Sequence, residues 1–444
     1  MVNKATIARA VLGAMLIVVL LGIAIGYSAF EANFGTDTSM PAAIAPASTV
    51  ERAHPSFLYG RVAIAAGATY EGRLRWGRGQ GQEAFWGDYF NGVKSENQWA
   101  AHLPPERLGK DPIKVFGVEV GGGSKLDLSR PFMARFGDIA RIESAGRDVR
   151  LTLKSGTVLT TNFSAFNDLD DGVRVWDRSQ GMLDVDDRQI RTIDFLPAPD
   201  AGPLPHRLHG TVRTLAGDFT GFVQWNRNKG LGTDELGGRT PDGDLRVRFD
   251  TIRAIARKEQ SSQVTLLDGR ELLLSGRADL GIYVDDPRFG RVLVSWDTFD
   301  RLDFSPGGDG PAYGDFRPGL PLAGIVTTRT GRRLAGRLVY DLDESETTET
   351  LDAPAQGVDY TIPFGLITSI VLPGREERAR VTLATGQQLQ LERRGDLADA
   401  NVGMLIFVAG SQRPEFVLWA DVERVEFHPS LRDSPAKDAP RSSR

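Results

Sequence analysis

Residues 225–255, WNRNKGLGTDELGGRTPDGDLRVRFDTIRAI, and residues 340–370, YDLDESETTETLDAPAQGVDYTIPFGLITSI, follow one plan. Each opens on an aromatic, and 24 residues later each reaches a phenylalanine followed by isoleucines at three-residue intervals. These are Phe249, Ile252 and Ile255 in one stretch and Phe364, Ile367 and Ile370 in the other. Equal spacing without a gap marks the duplication of one supersecondary unit, whose copies share a core or a common surface. A third copy lies upstream, where Trp76 precedes Phe136, Ile139 and Ile142.

Outward from the aromatic, Gly60, Gly67 and Gly72 precede Trp76 as Gly210, Gly217 and Gly221 precede Trp225, and as Gly324, Gly331 and Gly336 precede Tyr340. Downstream, Asp88-Tyr89-Phe90-Asn91-Gly92 answers to Asp234-Glu235-Leu236-Gly237-Gly238 and to Glu349-Thr350-Leu351-Asp352-Ala353. A second half follows in each copy. Val149, Leu151, Leu153, Gly156 and Leu159 alternate as a half-buried strand with a turn glycine, repeated by Val264, Leu266, Gly269, Leu272 and by Val381, Leu383, Gly386, Leu389. The halves close on Ile190, Ile193 and Phe195, on Trp296, Phe299, Leu302 and Phe304, and on Trp419, Val422, Val425 and Phe427. Apolar residues three apart cannot all face one side of a flat strand, but a strand, a tight 3₁₀ turn and a return strand place them on one core.

Each half therefore reads as strand, glycine turn, strand, variable segment, strand, short turn, strand. This order resembles the small SH3-like or Sm-like barrel. The resemblance is one of architecture; it implies an all-β fold and no particular activity. The expected organisation is three tandem repeats, each of two small SH3-like/Sm-like barrel or sandwich halves, at residues 55–200, 204–308 and 320–428. Exchange of strands between the two halves of a copy would leave the same pattern. Trp76, Trp225 and Tyr340 recur in phase with buried strand positions, so they are expected in the core.

The chain has 444 residues, 41% of them apolar, enough for about three domains of roughly 150 residues each. A formal net charge of -5 supplies no basic field, which argues against nucleic acid as a partner. Cysteine is absent, excluding disulfides, thiolate metal sites and cysteine nucleophiles. Residues 11–29, VLGAMLIVVLLGIAIGYSA, are uncharged and follow Lys4 and Arg9. Nineteen such residues can cross a bilayer. Tyr27 and Phe30 make a poor cleavage site, so residues 11–30 are expected to stay as a transmembrane anchor rather than be removed as a signal peptide. The basic residues 1–10 then lie in the cytoplasm, and the bulk of the chain is periplasmic or extracellular at a single-pass cell membrane. Residues 31–54 read as a flexible tether and residues 429–444 as a disordered tail.

The first copy departs from the others by an insertion. Trp76 and Phe136 are 60 residues apart, 36 more than in the other copies. The segment in and before it holds Phe85, Trp86, Tyr89, Asn91, Lys94, Glu96 and Trp99, and Asn97 to Leu103 is expected as a short helix ending at Pro104-Pro105. Exposed aromatics clustered with polar and charged residues are typical of an interaction surface, so these seven are the candidate binding residues. Long irregular insertions in compact domains tend to be functional or disordered.

Constellations for catalysis are weak. His206 and His209 would point to opposite faces of a strand and lack a third ligand, so no metal is expected. The acidic turns at Asp168, Asp170, Asp171 and at Asp184, Asp186, Asp187 lack calcium-loop spacing. Gly121-Gly122-Gly123-Ser124-Lys125 lacks the spacing and the helix of a phosphate loop. No cofactor or catalytic set emerges. The leading expectation is a non-enzymatic, membrane-anchored extracytoplasmic scaffold or binding module for an envelope protein or a polysaccharide. The alternative is a glycan- or peptidoglycan-acting enzyme using Trp86, Tyr89, Glu96 and Trp99 of the insertion. That reading needs two carboxylates about 5 to 9.5 Å apart across a cleft.

Overall fold

The computed structural model describes residues 54–77, 83–94, 97–103, 114–115, 118–119, 130–146, 148–162, 168–199, 206–374 and 376–428. The fold is all-β, and every helical piece among these residues is a 3₁₀ turn of three or four residues. No helix among them is long and apolar enough to cross a membrane. The expected anchor at 11–30 and the tail at 429–444 lie outside the described residues, as does the tether apart from His54.

Residues 323–427 form ten strands, in chain order Ala323–Thr328, Arg333–Tyr340, Thr350–Ala355, Val358–Pro363, Ile367–Val371, Arg378–Leu383, Gln388–Glu392, Gly403–Val408, Glu415–Leu418 and Val422–Phe427. Counted from first to tenth, eight of them make one antiparallel sheet in the order seventh, sixth, fifth, tenth, first, second, eighth, ninth. The third and fourth form a hairpin. Residues 209–304 draw their sheet in this same order, and so do residues 59–195 once the extra two-stranded hairpin of Lys114–Val115 and Val118–Glu119 is left out of the count.

The tenth strand is the pivot of every sheet. Val425 pairs with Val326 of the first strand and with Ile370 of the fifth. Leu302 pairs likewise with Val212 and Ile255, and Ile193 with Val62 and Ile142. All nine are buried. On the other side of the first strand, the second strand pairs with the eighth, as in Leu74↔Val175, Val223↔Val284 and Leu338↔Ile406. The opening pair of strands is thus exchanged onto the closing ones and away from the third and fourth.

Glycine makes this exchange fit. A Cβ on Gly72, Gly221 or Gly336, in the middle of the second strand, would run into the carbonyl oxygen of Trp176, Asp285 or Phe407 on the eighth. Only a residue without a side chain lets the two backbones pass so closely. The first–second turn needs glycine for a different reason, since Gly67 and Gly331 have φ of 92° and 80°.

The three-residue spacing takes the expected form. Phe136–Asp138, Phe249–Thr251 and Phe364–Leu366 are 3₁₀ turns between the fourth and fifth strands. Each phenylalanine is buried against the recurring aromatic, Phe136 on Trp76, Phe249 on Trp225 and Phe364 on Tyr340.

The hairpins differ in what they join. In residues 323–427 the fourth strand pairs with the ninth strand of the preceding sheet, Tyr360 facing Val292, which extends that sheet to ten strands. In residues 59–195 the hairpin attaches to its own seventh strand through Lys94↔Thr161. In residues 209–304 it stands as a separate two-stranded sheet.

Candidate functional site

The segment before the insertion begins as a tight turn in which Asp88 Oδ2 accepts from Phe85 N at 2.8 Å. Leu231 N donates to Asp234 Oδ2 at 2.8 Å and Glu346 N to Glu349 Oε2 at 2.9 Å, so the turn recurs in all three sheets. A side-chain carboxylate that caps its own turn in this way is a local, sequence-encoded device.

The expected exposed aromatic cluster is corrected by the structure. Phe85 and Trp86 are 1% and 0% exposed, and Phe90 is buried too. Phe85 packs with Phe57 and Leu231, joining the first sheet to the second. Trp86 donates Nε1 to Pro55 O at 2.8 Å and lies 4.6 Å from the Tyr313 ring. Large aromatics carry most of the apolar area that burial can remove from water, and here the junctions between sheets take them. Asn91 is also internal, donating N and Nδ2 to Asp168 Oδ2 at 2.8 and 2.9 Å. Glu96 lies outside the described residues.

The rest of the segment turns toward the third sheet. Lys94 pairs with Asp343 and, at 3.4 Å, with Glu349. Asn97 Nδ2 donates to Leu342 O at 2.9 Å. In place of the expected helix over 97–103 there is a single 3₁₀ turn, Ala100–His102. It sets Trp99 against Phe407 and Arg337, and buries Leu103 among Val339, Leu342 and Leu405.

Besides a small cavity of about 240 Å³ at Lys94, Asn97 and Trp99, the segment borders two others. The smaller, about 420 Å³, lies where Lys94 and Arg130 face Asp341, Asp343, Glu344 and Asp396. Burial, with Asp352 close by, pushes the Asp396 carboxyl up to about 8, and burial raises Asp341 to about 6. Burial and Asp343 hold Glu344 well above the carboxylate range, and its Oε2 has no hydrogen-bond partner. Burial pulls Lys94 down, yet Glu349 and Asp343 outweigh it and leave the amine above its ordinary value. Among the described residues no three His, Asp or Glu side chains converge as a metal site.

The larger cavity, about 770 Å³, opens where residues of all three sheets meet, and Tyr89, Arg135, Arg207, Arg291, Phe316 and Thr347 are among its walls. Arg291 is fully engaged: Nε donates to Asp285 Oδ1 at 2.7 Å, and Nη2 to Asp285 Oδ2 at 2.9 Å and Asp88 Oδ1 at 2.6 Å. Arg135 holds Asp138 at 2.6 Å. Arg207 differs. It is 4% exposed, its guanidinium lies 3.8 Å from the Phe85 ring and 4.4 Å from the Phe222 ring, and its Nε and Nη2 have no hydrogen-bond partner. Asp285 pairs with its Nη2 at 3.8 Å, and Asp88 adds a second negative charge nearby.

No family model matches the chain, and neither does any curated protein or solved structure. The site therefore rests on its own geometry. Of the seven sequence candidates, Tyr89 lines the larger cavity and Phe85 flanks its guanidinium, while Lys94 lines the smaller. Sequence reasoning missed Arg207, although it lies between His206 and His209. A signal was present. Isolated bridges pair Phe57 with Phe85, Arg207 with Leu231 and Pro321 with Glu346, so the position is apolar in the other two sheets and cationic here.

Proposed function

We propose that the chain is a non-enzymatic binding module or scaffold of a bacterial envelope, held by residues 11–30 in the inner membrane and facing out of the cytoplasm, with an envelope protein or a polysaccharide as its partner. Its body is three tandem repeats at 55–200, 204–308 and 320–428. Each is a pair of SH3-like barrels that swap strands: the tenth, first, second, eighth and ninth make one barrel, and the fifth, sixth, seventh, third and fourth the other. Repetition of one stable unit suits the building of a broad recognition surface.

The observation that carries this reading is the larger cavity. At about 770 Å³ it falls in the size range of ligand sites, and it mixes aromatic and proline walls with a few aimed cations. The glycan-cleaving alternative loses a support, because Trp86 is buried and offers no face to a sugar. Fractionation of cells carrying the full chain with a C-terminal tag tests the placement, and cross-linking before lysis tests the binding. A full-mass membrane species with a discrete cross-linked partner is expected. A soluble exported form lacking the first thirty residues contradicts the anchor, and absence of any adduct contradicts the binding role.

A further inference from the structure

Resting on that reading, we propose that the larger cavity has a resident occupant from this chain itself: residues 40–47, MPAAIAPA, dock there in cis, and an outside partner must displace them.

The charges in and around the cavity select an uncharged ligand. Arg291 and Arg207 share Asp285 and Asp88, Arg135 holds Asp138, and Arg288 holds Asp286 at 2.6 Å. Asp315 and Arg317, both exposed, stand two residues apart on the rim and offset one another. His209 is held below its ordinary value by burial and adds no charge at pH 7. Cations and anions therefore cancel. An ionised ligand would bring a charge that nothing there is left to match, and it would lose its hydration on entry. Phe222, Pro287, Pro311, Phe316, Pro318 and Leu366 supply apolar wall instead.

Proximity and composition select the occupant. His54 Nε2 lies 3.6 Å from Asp309 Oδ1, and Pro311, two residues further along, is already part of the cavity wall. Ala47 ends the segment seven residues before His54, and that connection extends to about 23 Å, enough to bring the segment back to the wall. Residues 40–47 carry no charge, and Pro41 and Pro46 favour the extended polyproline II conformation. Grooves walled by aromatic rings take such segments at a small cost in entropy. The other end of the chain fits worse. Residues 429–444 follow His428, whose N donates to Ala323 O at 2.9 Å, three residues from Leu320 of the wall. Their longest uncharged run is three residues, so they would carry unmatched charge into the cavity. A short connection raises the effective concentration of residues 40–47, and an outside partner binds only by outcompeting them.

The test uses the purified full-length chain in nonionic detergent, with a photo-cross-linking residue in place of Leu320 on the cavity wall. Isotopically light and heavy copies are mixed before irradiation, and the linked peptides are identified by mass. A link from position 320 to residues 40–47 within one copy is expected. Ile44→Asp changes no residue of the sheets but brings a charge that the cavity cannot match, and it should lower that yield at least about tenfold. In cells the same variant frees the cavity and should raise a partner adduct from position 320 at least about twofold. A link to residues 429–444, to no segment, or between light and heavy copies overturns the proposal, as does a yield unmoved by Ile44→Asp. A partner adduct unmoved by that variant overturns the displacement. Where the link within one copy is missing and a partner adduct still forms in cells, the binding role stands without the resident segment. Where the link is present and no partner adduct forms, the resident segment stands and the binding role falls.

Discussion

Asp88 and Glu349 close the same turn in two different sheets, and each turns its other oxygen to a cation from a neighbouring sheet: Asp88 to Arg291, Glu349 to Lys94. Asp234 closes the equivalent turn of the middle sheet, and among the described residues no cation from another sheet reaches it. One local motif therefore serves folding in all three sheets and assembly in two.

Asp88→Asn separates these roles, because the amide oxygen can still accept from Phe85 N while the charge facing Arg291 is lost. Denaturant unfolding should show a loss of about 1.5 to 3 kcal/mol, the range for hydrogen bonds to charged groups. Asp234→Asn should lose under about 1 kcal/mol, as expected where no buried charge is left unmatched. Equal losses would mean that Asp88 does not hold the sheets together.

The pH dependence follows from Asp396. Its folded value of about 8 lies above the unfolded 3.8, so the folded state binds more protons in between. Stability contributed by this group is full below about pH 4 and is lost as the pH rises toward 8. Melting midpoints should thus fall between pH 5 and pH 8, and Asp396→Asn should flatten that slope, raising the midpoint at pH 8 and leaving it nearly unchanged at pH 5. An unchanged slope in the variant would place the titration elsewhere.

Two glycines should respond differently to alanine. At Gly67 a Cβ meets no atom within 4 Å, so only the positive φ opposes it, at about 1 to 2 kcal/mol. At Gly221 the new carbon strikes the Asp285 carbonyl, and the second and eighth strands must separate. Thermal melts should show Gly67→Ala folded and mildly destabilised, with Gly221→Ala far worse or unfolded. A mild effect at Gly221 would argue against strand exchange at that point.

Phe249 is legible in sequence and sits where the spacing implies, in a 3₁₀ turn with 2% exposure. Its truncation to alanine should cost about 3 to 5 kcal/mol. Strand exchange was not legible. Val223 alternates identically whether its neighbour is the third strand or the eighth, because period-two patterning encodes the face and leaves the partner open. Phe85 and Trp86 misled for a related reason. Aromatics beside an insertion read as surface, while the sheets that cover them come from distant parts of the chain. Lys94 meets Asp343 across 249 residues, a contact that no local window contains. Arg207 alone left a trace, as a charge at a position that is apolar in both sister sheets.

If the cavity among the three sheets binds the partner, as proposed, a position on its wall and one away from it should behave differently. Leu320 lines that cavity and is half exposed, whereas Leu215 is 88% exposed and lies elsewhere. A photo-cross-linking residue placed at each position in the full-length chain, activated in living cells, compares the two directly. A discrete adduct is expected from position 320 and none from position 215. An adduct from 215 and none from 320 would contradict the proposal.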